Sequence, residues 1–585
     1  MGSTLPLLVT HAVRATRNIG ESVGLLYAAN TLGSAVACFV AALFLMRWLG
    51  QSGSVSVAAA LNVVVGCSAV LLSRSTSLSP AANPDFVPEP LVFKQKGVAS
   101  FRLGLVLSLV TGLISLGYEM VWYRLYSFSL AGAAPVFAVL LGCYLAGIAF
   151  GSLVIRDLCT KGLRDSPDRA LRLLSGLILW GGIVCFLVPS ALADAVRFVP
   201  LLATFPLVIA GAALLGAAFP LVSHIGISSI NQAGSKLSFL YIANIIGSAG
   251  GSFVVGFILM DYLPLRNICL CLLAMAVLVS GILVWRSGRR PPRFAIAGLV
   301  VALVISFLSP QLFSNLYEKL LYKRGFEPSL TFPHVVETRS GVIAVSQDGA
   351  VFGGGVYDGR FNTNLVNDTN GIFRTFAIAS FQPHLAEVLM IGLSSGSWAQ
   401  VIANNPSVQH LTIVEINPGY LRLIAQYPMV ASLLRNPKVQ ITIDDGRRWL
   451  LRNPDKQFDM IVMNSTFSWR ANASNLLSTE FLRLARTHMK PGGILYYNTT
   501  FSRSALLTGA KIFPFSLRVW NFLAVSDQSI SVDKQRWAES LRRYTVDQNL
   551  CLIWKTIPSA CASIKCSPLR ILCIHRDLSR KCEWN

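Results

Sequence analysis

Four polar clusters follow short apolar runs between residues 387 and 498, and together they could hold a nucleoside. Gly392-Leu393-Ser394-Ser395-Gly396 follows the run Glu387 to Ile391, and its Gly392 and Gly396 let the backbone come close to a ligand. Glu415 ends the run Leu411 to Glu415 and lies 23 residues beyond Gly392, the spacing at which an acid accepts both ribose hydroxyls. Asp444-Asp445-Gly446 follows Val439 to Ile443, where Asp445 could accept from an exocyclic adenine amine, with Gly446 beside it on the nucleoside side. Asn464 follows Phe458 to Met463. The full G-x-G-x-x-G run is absent, so the pattern fits a nucleoside better than a pyrophosphate.

The same Gly392–Gly396 segment also reads as G-x-S-x-G, a nucleophile elbow, with Asp445 and His488 following in the order of a hydrolase triad. Against that reading, His488 sits on a helical stretch before Met489-Lys490-Pro491, not in a loop after a strand.

The elements that must position these residues alternate strand and helix, with a fifth strand, Ile494 to Asn498, after Pro491-Gly492-Gly493. Such alternation predicts a doubly wound parallel sheet over 386–545, with ligands at the carboxyl ends of the strands. A small β-hairpin region over 325–385 precedes it. His334 to Thr338 and Val342 to Gln347 alternate, and Asp348-Gly349 and Asp358-Gly359 are turn signals.

The first 310 residues are of another kind. Of the 585 residues, 53% are hydrophobic and 13% charged, and the mean hydropathy is +0.56. That excludes a disordered chain and an ordinary cytosolic enzyme. Nine apolar stretches predict a polytopic α-helical membrane domain over 1–310: 23–49, 55–73, 103–125, 131–155, 170–192, 199–222, 237–263, 267–286 and the short 294–309. The net charge of +22 reflects basic loops at an anionic bilayer, and nucleic acid is not expected as a partner. Lys and Arg number 16 in the loops of one side and 4 in those of the other, which puts the first side in the cytoplasm. If the ninth stretch crosses, the chain after 310 lies outside; if it does not, that part is cytoplasmic.

Residues 4–49 align without gaps to 218–263, with 15 identities in 46 positions, among them Tyr27, Asn30 and Gly33 with Tyr241, Asn244 and Gly247. Six stretches separate the copies, an even number, so the repeat is parallel and its first copy is shortened; residue 1 falls partway through a repeat. Glu119, within Tyr118-Glu119-Met120-Val121-Trp122, is either a functional intramembrane carboxylate or half of an anchoring pair with Arg124. The tail 550–585 carries Cys561, Cys566, Cys573, Cys582 and His575 at spacings that fit no zinc site; it is expected to be unstructured, and no metal is expected anywhere.

Residues 340–500 resemble the spermidine synthase (polyamine aminopropyltransferase) family. The resemblance rests on Val388–Gly396, Val414-Glu415-Ile416-Asn417, Asp445-Gly446-Arg447, Asn464-Ser465-Thr466 and Lys490-Pro491-Gly492-Gly493-Ile494-Leu495. The spans resemble the membrane regions of bacterial proteins that carry this domain at the C-terminus, which implies a bacterial inner membrane. The resemblance implies a Rossmann-like core of class I methyltransferase type, and polyamine biosynthesis with decarboxylated S-adenosylmethionine as the nucleoside, whose aminopropyl group passes to an amine. It also implies departures. The catalytic Asp position is Asn464, the substrate-side Gln position is Asn362, the Tyr-His-Glu element becomes Phe373-Arg374-Thr375, and Arg374 would repel a diamine. Thr466 to Leu477 would form a lid, with Trp469 over the ligand or packed aside.

Three functions follow: a membrane-bound aminopropyltransferase-like enzyme, a non-enzymatic transporter-like protein with a degenerate nucleoside module, or an S-adenosylmethionine-dependent methyltransferase. The acceptor and the oligomeric state stay open.

Overall fold

A computed structural model describes residues 4–76, 100–161, 167–227, 232–288, 291–464, 467–471, 473–546 and 549–550. The chain divides into two units. One comprises Met1–Tyr126 with Pro135–Phe326, the other Ser127–Ala134 with Glu327–Asn585. The Cys-rich tail beyond 550 lies outside the described residues.

In the first unit seven helices are long and apolar enough to cross a membrane: Ile19–Ser73, Phe101–Ser129, Val136–Cys159, Asp168–Ala195, Leu201–Gly226, Ala233–Tyr262 and Leu265–Arg286. The first has 55 residues. At 1.5 Å per residue it is about 80 Å long, more than twice the ~30 Å of bilayer hydrocarbon. Gly50, at φ 64° and ψ −170°, breaks it into two lengths that correspond to the expected 23–49 and 55–73. The third to eighth expected stretches fall on the other six helices. The ninth is the 15-residue helix Arg293–Phe307, bent by 66° from Ser309–Gly325. Large apolar side chains such as Leu61, Leu71, Phe257 and Trp285 point outward, an arrangement that water penalises and a lipid surrounding does not.

The two aligned stretches are built alike. In one, helices Thr4–Thr16 and Ile19–Val40 run into a π-helical turn at Ala41–Leu45; in the other, Ala218–Gly226 and Ala233–Phe253 run into one at Val254–Leu259. Gly20 lies against His224, and Gly234 lies against Thr10, the aligned counterpart of His224. Side chains on Gly247 and Gly251 would overlap the carbonyl oxygens of Leu109 and Leu113, so these glycines seat helix 233–253 on helix 101–129. Asn244 donates across that pair to Ser108 O at 3.1 Å, whereas Gly33 has nothing within 4 Å. Glu119 is buried inside the continuous helix Phe101–Ser129, away from its ends.

The second unit contains two main sheets. The smaller is antiparallel, in the order β1 (His334–Thr338), β2 (Gly341–Val345), β3 (Ala350–Gly353), β4 (Val356–Arg360). Asp348-Gly349 turns the chain as expected. Asp358-Gly359 does not: it lies inside β4, and the turn is at Gly354-Gly355, where φ values of 57° and 79° are free of strain for glycine. A bulge at Val351/Phe352 sets Gly359 opposite Val351.

The larger sheet has seven strands: β5 (Glu387–Ile391), β6 (His410–Glu415), β7 (Val439–Ile443), β8 (Phe458–Met463), β9 (Met489–Asn498), β10 (Phe515–Val519) and β11 (Phe522–Ser526). Their order is β10-β11-β9-β8-β5-β6-β7. Strands β5 to β9 are parallel, while β10 and β11 are antiparallel additions, so the purely parallel sheet expected from sequence is in fact mixed. Strand β5 is buried on both faces: Val388 and Met390 enter one core cluster, Leu389 and Ile391 the other. Strand order reverses between β5 and β8, which leaves a crevice at their carboxyl ends.

Candidate active site

Gly392 leaves β5 at φ +90°, and Asn464 leaves β8 beside it; a Cβ on Gly392 would meet only Asn464 O, at 4.0 Å. Open space at a left-handed glycine leaves room for a ligand against the backbone. Gly396 differs. At φ +76° it starts helix Ser397–Ala403, and a Cβ there would meet Ile424 Cδ1 at 2.9 Å. It is a packing glycine, not the second ligand-facing one expected. Ser394, at φ +50°, donates its hydroxyl to the Asp358 carbonyl.

Glu415 is buried at the end of β6. Its Oε2 accepts the backbone N–H of Leu393 at 2.6 Å and its Oε1 that of Asn417 at 2.8 Å. A carboxylate has about four acceptor positions, so the two bonds leave part of that capacity for a hydroxyl. Burial pushes this carboxyl up to about 7, against the pull of the Leu393, Asn417 and Ser394 amides. Asp445 caps helix Gly446–Arg452 by accepting Arg448 N–H at 2.9 Å, while its neighbour Asp444 pairs with Arg448 and Arg452. A Cβ on Gly446 would meet Ile391 Cγ2 at 2.6 Å, so Gly446 brings that helix close to β5.

A cavity of about 390 Å³ opens at the switch point, walled by Asp358, Asn464, Arg374, Asn498, Trp520 and Asn521 among others. Asp358 is half-buried, and the Tyr420 hydroxyl donates to its Oδ2. Burial pushes the Asp358 carboxyl up to about 6, with the Tyr420 bond and the Arg470 charge pulling it down. Arg374 is buried; its Nε and Nη2 donate to Gly371 O and Asn370 O at 2.7 and 2.9 Å, and its Nη1 to Asn521 Oδ1 at 2.7 Å. The guanidinium lies about 5 Å from the Trp398, Trp520 and Phe522 ring centres. The charge expected to repel a diamine is thus boxed in by oxygens and rings.

Of the residues expected on the substrate side, only Arg374 joins Asn464 in the cavity wall. Asn362 is committed to its own loop: it donates to Asn367 O and Thr369 Oγ1, both at 2.7 Å, and accepts Asn364 N–H at 2.8 Å. Trp469 is 50% exposed and stacks on Phe467, which does line the cavity. Arg470 donates to Gly353 O at 3.0 Å, and Ala471 N–H to Gly132 O at 2.8 Å. Residues 466 and 472 of the expected lid lie outside the described residues.

Asp358, Asn498 and Asn521 were not singled out from sequence. Asn498 ends a strand as Asn464 does, which was a usable signal. The turn signal of Asp358-Gly359 hides its place in the cavity wall, and Asn521 sits in the β10–β11 turn, where the sequence carries no turn signal. His488, the base of the hydrolase alternative, has Nδ1 2.9 Å from Leu484 O and Nε2 3.1 Å from Leu450 O, so neither nitrogen serves Ser394. Among the described residues no cluster of three or more His, Cys, Asp or Glu could hold a metal.

Comparison with known proteins agrees with this geometry. Residues 377–508 match the family described as "Spermine/spermidine synthase domain". The chain is 24% identical over 399 residues to "Polyamine aminopropyltransferase 1" of Streptomyces coelicolor, covering 64% of this chain and 71% of that one. That match is longer than Glu327–Asn585, so it runs on into the helical unit. Against the polyamine aminopropyltransferase of Desulforudis audaxviator it is 27% identical over 174 residues, 28% of this chain and 62% of the relative. The solved spermidine synthase of Thermotoga maritima aligns at 16% identity and a TM-score of 0.30, over 40% of this chain and 89% of that one. The residues that match the spermine/spermidine synthase domain, 377–508, lie within the C-terminal unit, and a unit of long apolar helices precedes them in the chain.

Proposed function

We propose that this chain is a multi-pass membrane protein whose C-terminal unit binds an S-adenosylmethionine-type nucleoside and transfers its aminopropyl group to an amine. The observation that carries the reading is the meeting of two half-sites at one switch point. The Gly392 turn and Glu415 lie on the nucleoside side, and the Asp358–Asn464 cavity opens beside them. In such a transfer the amine nitrogen attacks the aminopropyl carbon on the sulfonium sulfur. The C–S bond breaks, its electron pair returns to sulfur, methylthioadenosine leaves neutral, and the new ammonium sheds a proton. Asn464 cannot accept that proton. Asp358 lines the cavity with a carboxyl pushed up to about 6, a range suited to a general base.

A second reading, a non-enzymatic transporter-like membrane protein with a degenerate nucleoside module, draws on the parallel repeat and on Asn464. Calorimetry on the full chain in detergent, with decarboxylated S-adenosylmethionine, S-adenosylmethionine and methylthioadenosine, tests the first step. Micromolar binding supports the proposal. Its absence in folded protein would rule out both transferase readings, the methyltransferase included.

A further inference from the structure

The wall of the cavity at Asn464 is wired in one direction. A guanidinium can only donate, so the Asn521 atom that Arg374 Nη1 meets at 2.7 Å is the amide oxygen. That leaves Asn521 Nδ2 to donate, 3.0 Å to Asn498 Oδ1. The backbone N–H of Thr500 reaches the same oxygen at 2.8 Å, a second group that can only donate. Asn498 Nδ2 then donates to Asn464 Oδ1 at 3.2 Å. Each amide orientation is forced by the one before it, starting from a cation, so none is a free choice between oxygen and nitrogen. The chain ends at Asn464 with its oxygen taken and its NH2 group left over. Among the described residues no acceptor meets that NH2, and Asn464 lines the cavity.

The dipoles of three amides therefore point the same way as the Arg374 charge, with their positive end at the cavity. An aspartate at this position would present an oxygen acceptor, suited to an ammonium. The asparagine presents a donor.

We infer that the Asn464 end of the cavity receives an oxygen of the second substrate, as hydroxyl, carbonyl or carboxylate, and not an ammonium. This rests on reading the cavity as the second-substrate half of an aminopropyltransferase-like site. A neutral amine could also accept from Asn464, but its lone pair would then be tied up when it must attack carbon. The ligand class is a monoamine whose far end carries oxygen, an amino alcohol or an amino acid, in place of a diamine. Asp358, with its Oδ2 held by Tyr420, is the carboxylate available to the amine end.

The test uses the full chain in detergent and three four-carbon amines that differ only at the far end: putrescine (ammonium), 4-aminobutanol (hydroxyl) and 4-aminobutyrate (carboxylate). Each is titrated calorimetrically with and without methylthioadenosine. The expected result is that an oxygen-ended compound binds at least about ten-fold more tightly than putrescine, the scale of one buried hydrogen bond made or lost. In Asn464→Asp, which keeps an acceptor for Asn498 Nδ2 and replaces the NH2 by oxygen, the preference should turn toward putrescine by a similar factor. Putrescine binding tightest in the wild type, no binding of any of the three, or an unchanged order in a folded N464D would overturn the inference. The wild-type ranking decides even if the variant does not fold. Methylthioadenosine is also titrated alone. Its failure to bind counts against the nucleoside reading, whereas the ranking of the amines counts only for or against the polarity at Asn464.

Discussion

Glu415 and Leu393 are joined across two strands: the acid that ends β6 accepts, at 2.6 Å, the backbone N–H of the turn that follows β5. One side chain therefore holds the glycine turn in shape while offering its remaining lone pairs outward. Removing it has two effects, which different substitutions separate.

Glu415→Gln keeps the size and one oxygen but loses the charge. Methylthioadenosine binding to this variant should weaken roughly 10- to 100-fold, the range for hydrogen bonds to a charged partner. Glu415→Ala also orphans the N–H groups of Leu393 and Asn417, so its thermal midpoint should fall as well. Titration and thermal melts of both variants check this, and equal nucleoside affinity in E415Q and wild type would remove Glu415 from the site.

The pH dependence of the ligand-free protein follows from the same residue. Its carboxyl lies at about 7 in the folded chain, above its ordinary 4.5, and that of Asp358 at about 6, above 3.8. The folded state thus holds protons that the unfolded state has released. The stability this gives is fully present below about pH 4 and is lost as pH rises through about 7. Glu415 alone carries on the order of 3 kcal/mol of this slope. Melting curves between about pH 5 and about pH 8 should show the midpoint of the C-terminal unit falling, and falling less in Glu415→Gln.

Asp358→Asn removes the carboxylate that lines the cavity while sparing its shape. If Asp358 takes the proton of the attacking amine, turnover should drop roughly 100-fold or more with nucleoside affinity unchanged. The assay is methylthioadenosine release at saturating nucleoside. A variant as fast as the wild type would assign the proton to solvent.

Arg374→Lys replaces a fork of donors by a single point charge. It should lose at least two of the three bonds to Gly371, Asn370 and Asn521 and destabilise the unit by about 3 kcal/mol. The midpoint should fall by several degrees, and the Asn521–Asn498–Asn464 chain should lose its fixed direction. An unchanged melt would show that the ring box around the cation suffices.

Much of the nucleoside half was legible because its strands are short, apolar and bounded by glycine or acid. β5 to β8 each end where the sequence placed them, at Ile391, Glu415, Ile443 and Met463. The second half was not, because it is assembled from separated segments. Arg374 reads as an exposed charge in isolation, and only the fold brings Trp398, Trp520 and Phe522 round it. Asp358-Gly359 lies within a strand for a local reason: two consecutive glycines at 354 and 355 offer a better turn four residues earlier. Asn362 stood at the family's position, but Asn364, Asn367 and Thr369 follow it closely and absorb its hydrogen bonds.

The crossed seating of Gly20 on His224 and of Gly234 on Thr10 bears on how the helical unit is made. The first helix of each stretch leans on the second helix of the other, at an offset of 214 residues. A ribosome adding 5–20 residues per second needs roughly 10–40 s to cover that distance. For that time the first pair of helices is made while its mating surface, Gly20 included, has no partner to cover it. Assembly of the helical unit is therefore paced by translation, and a stall before residue 234 would strand a half-built interface.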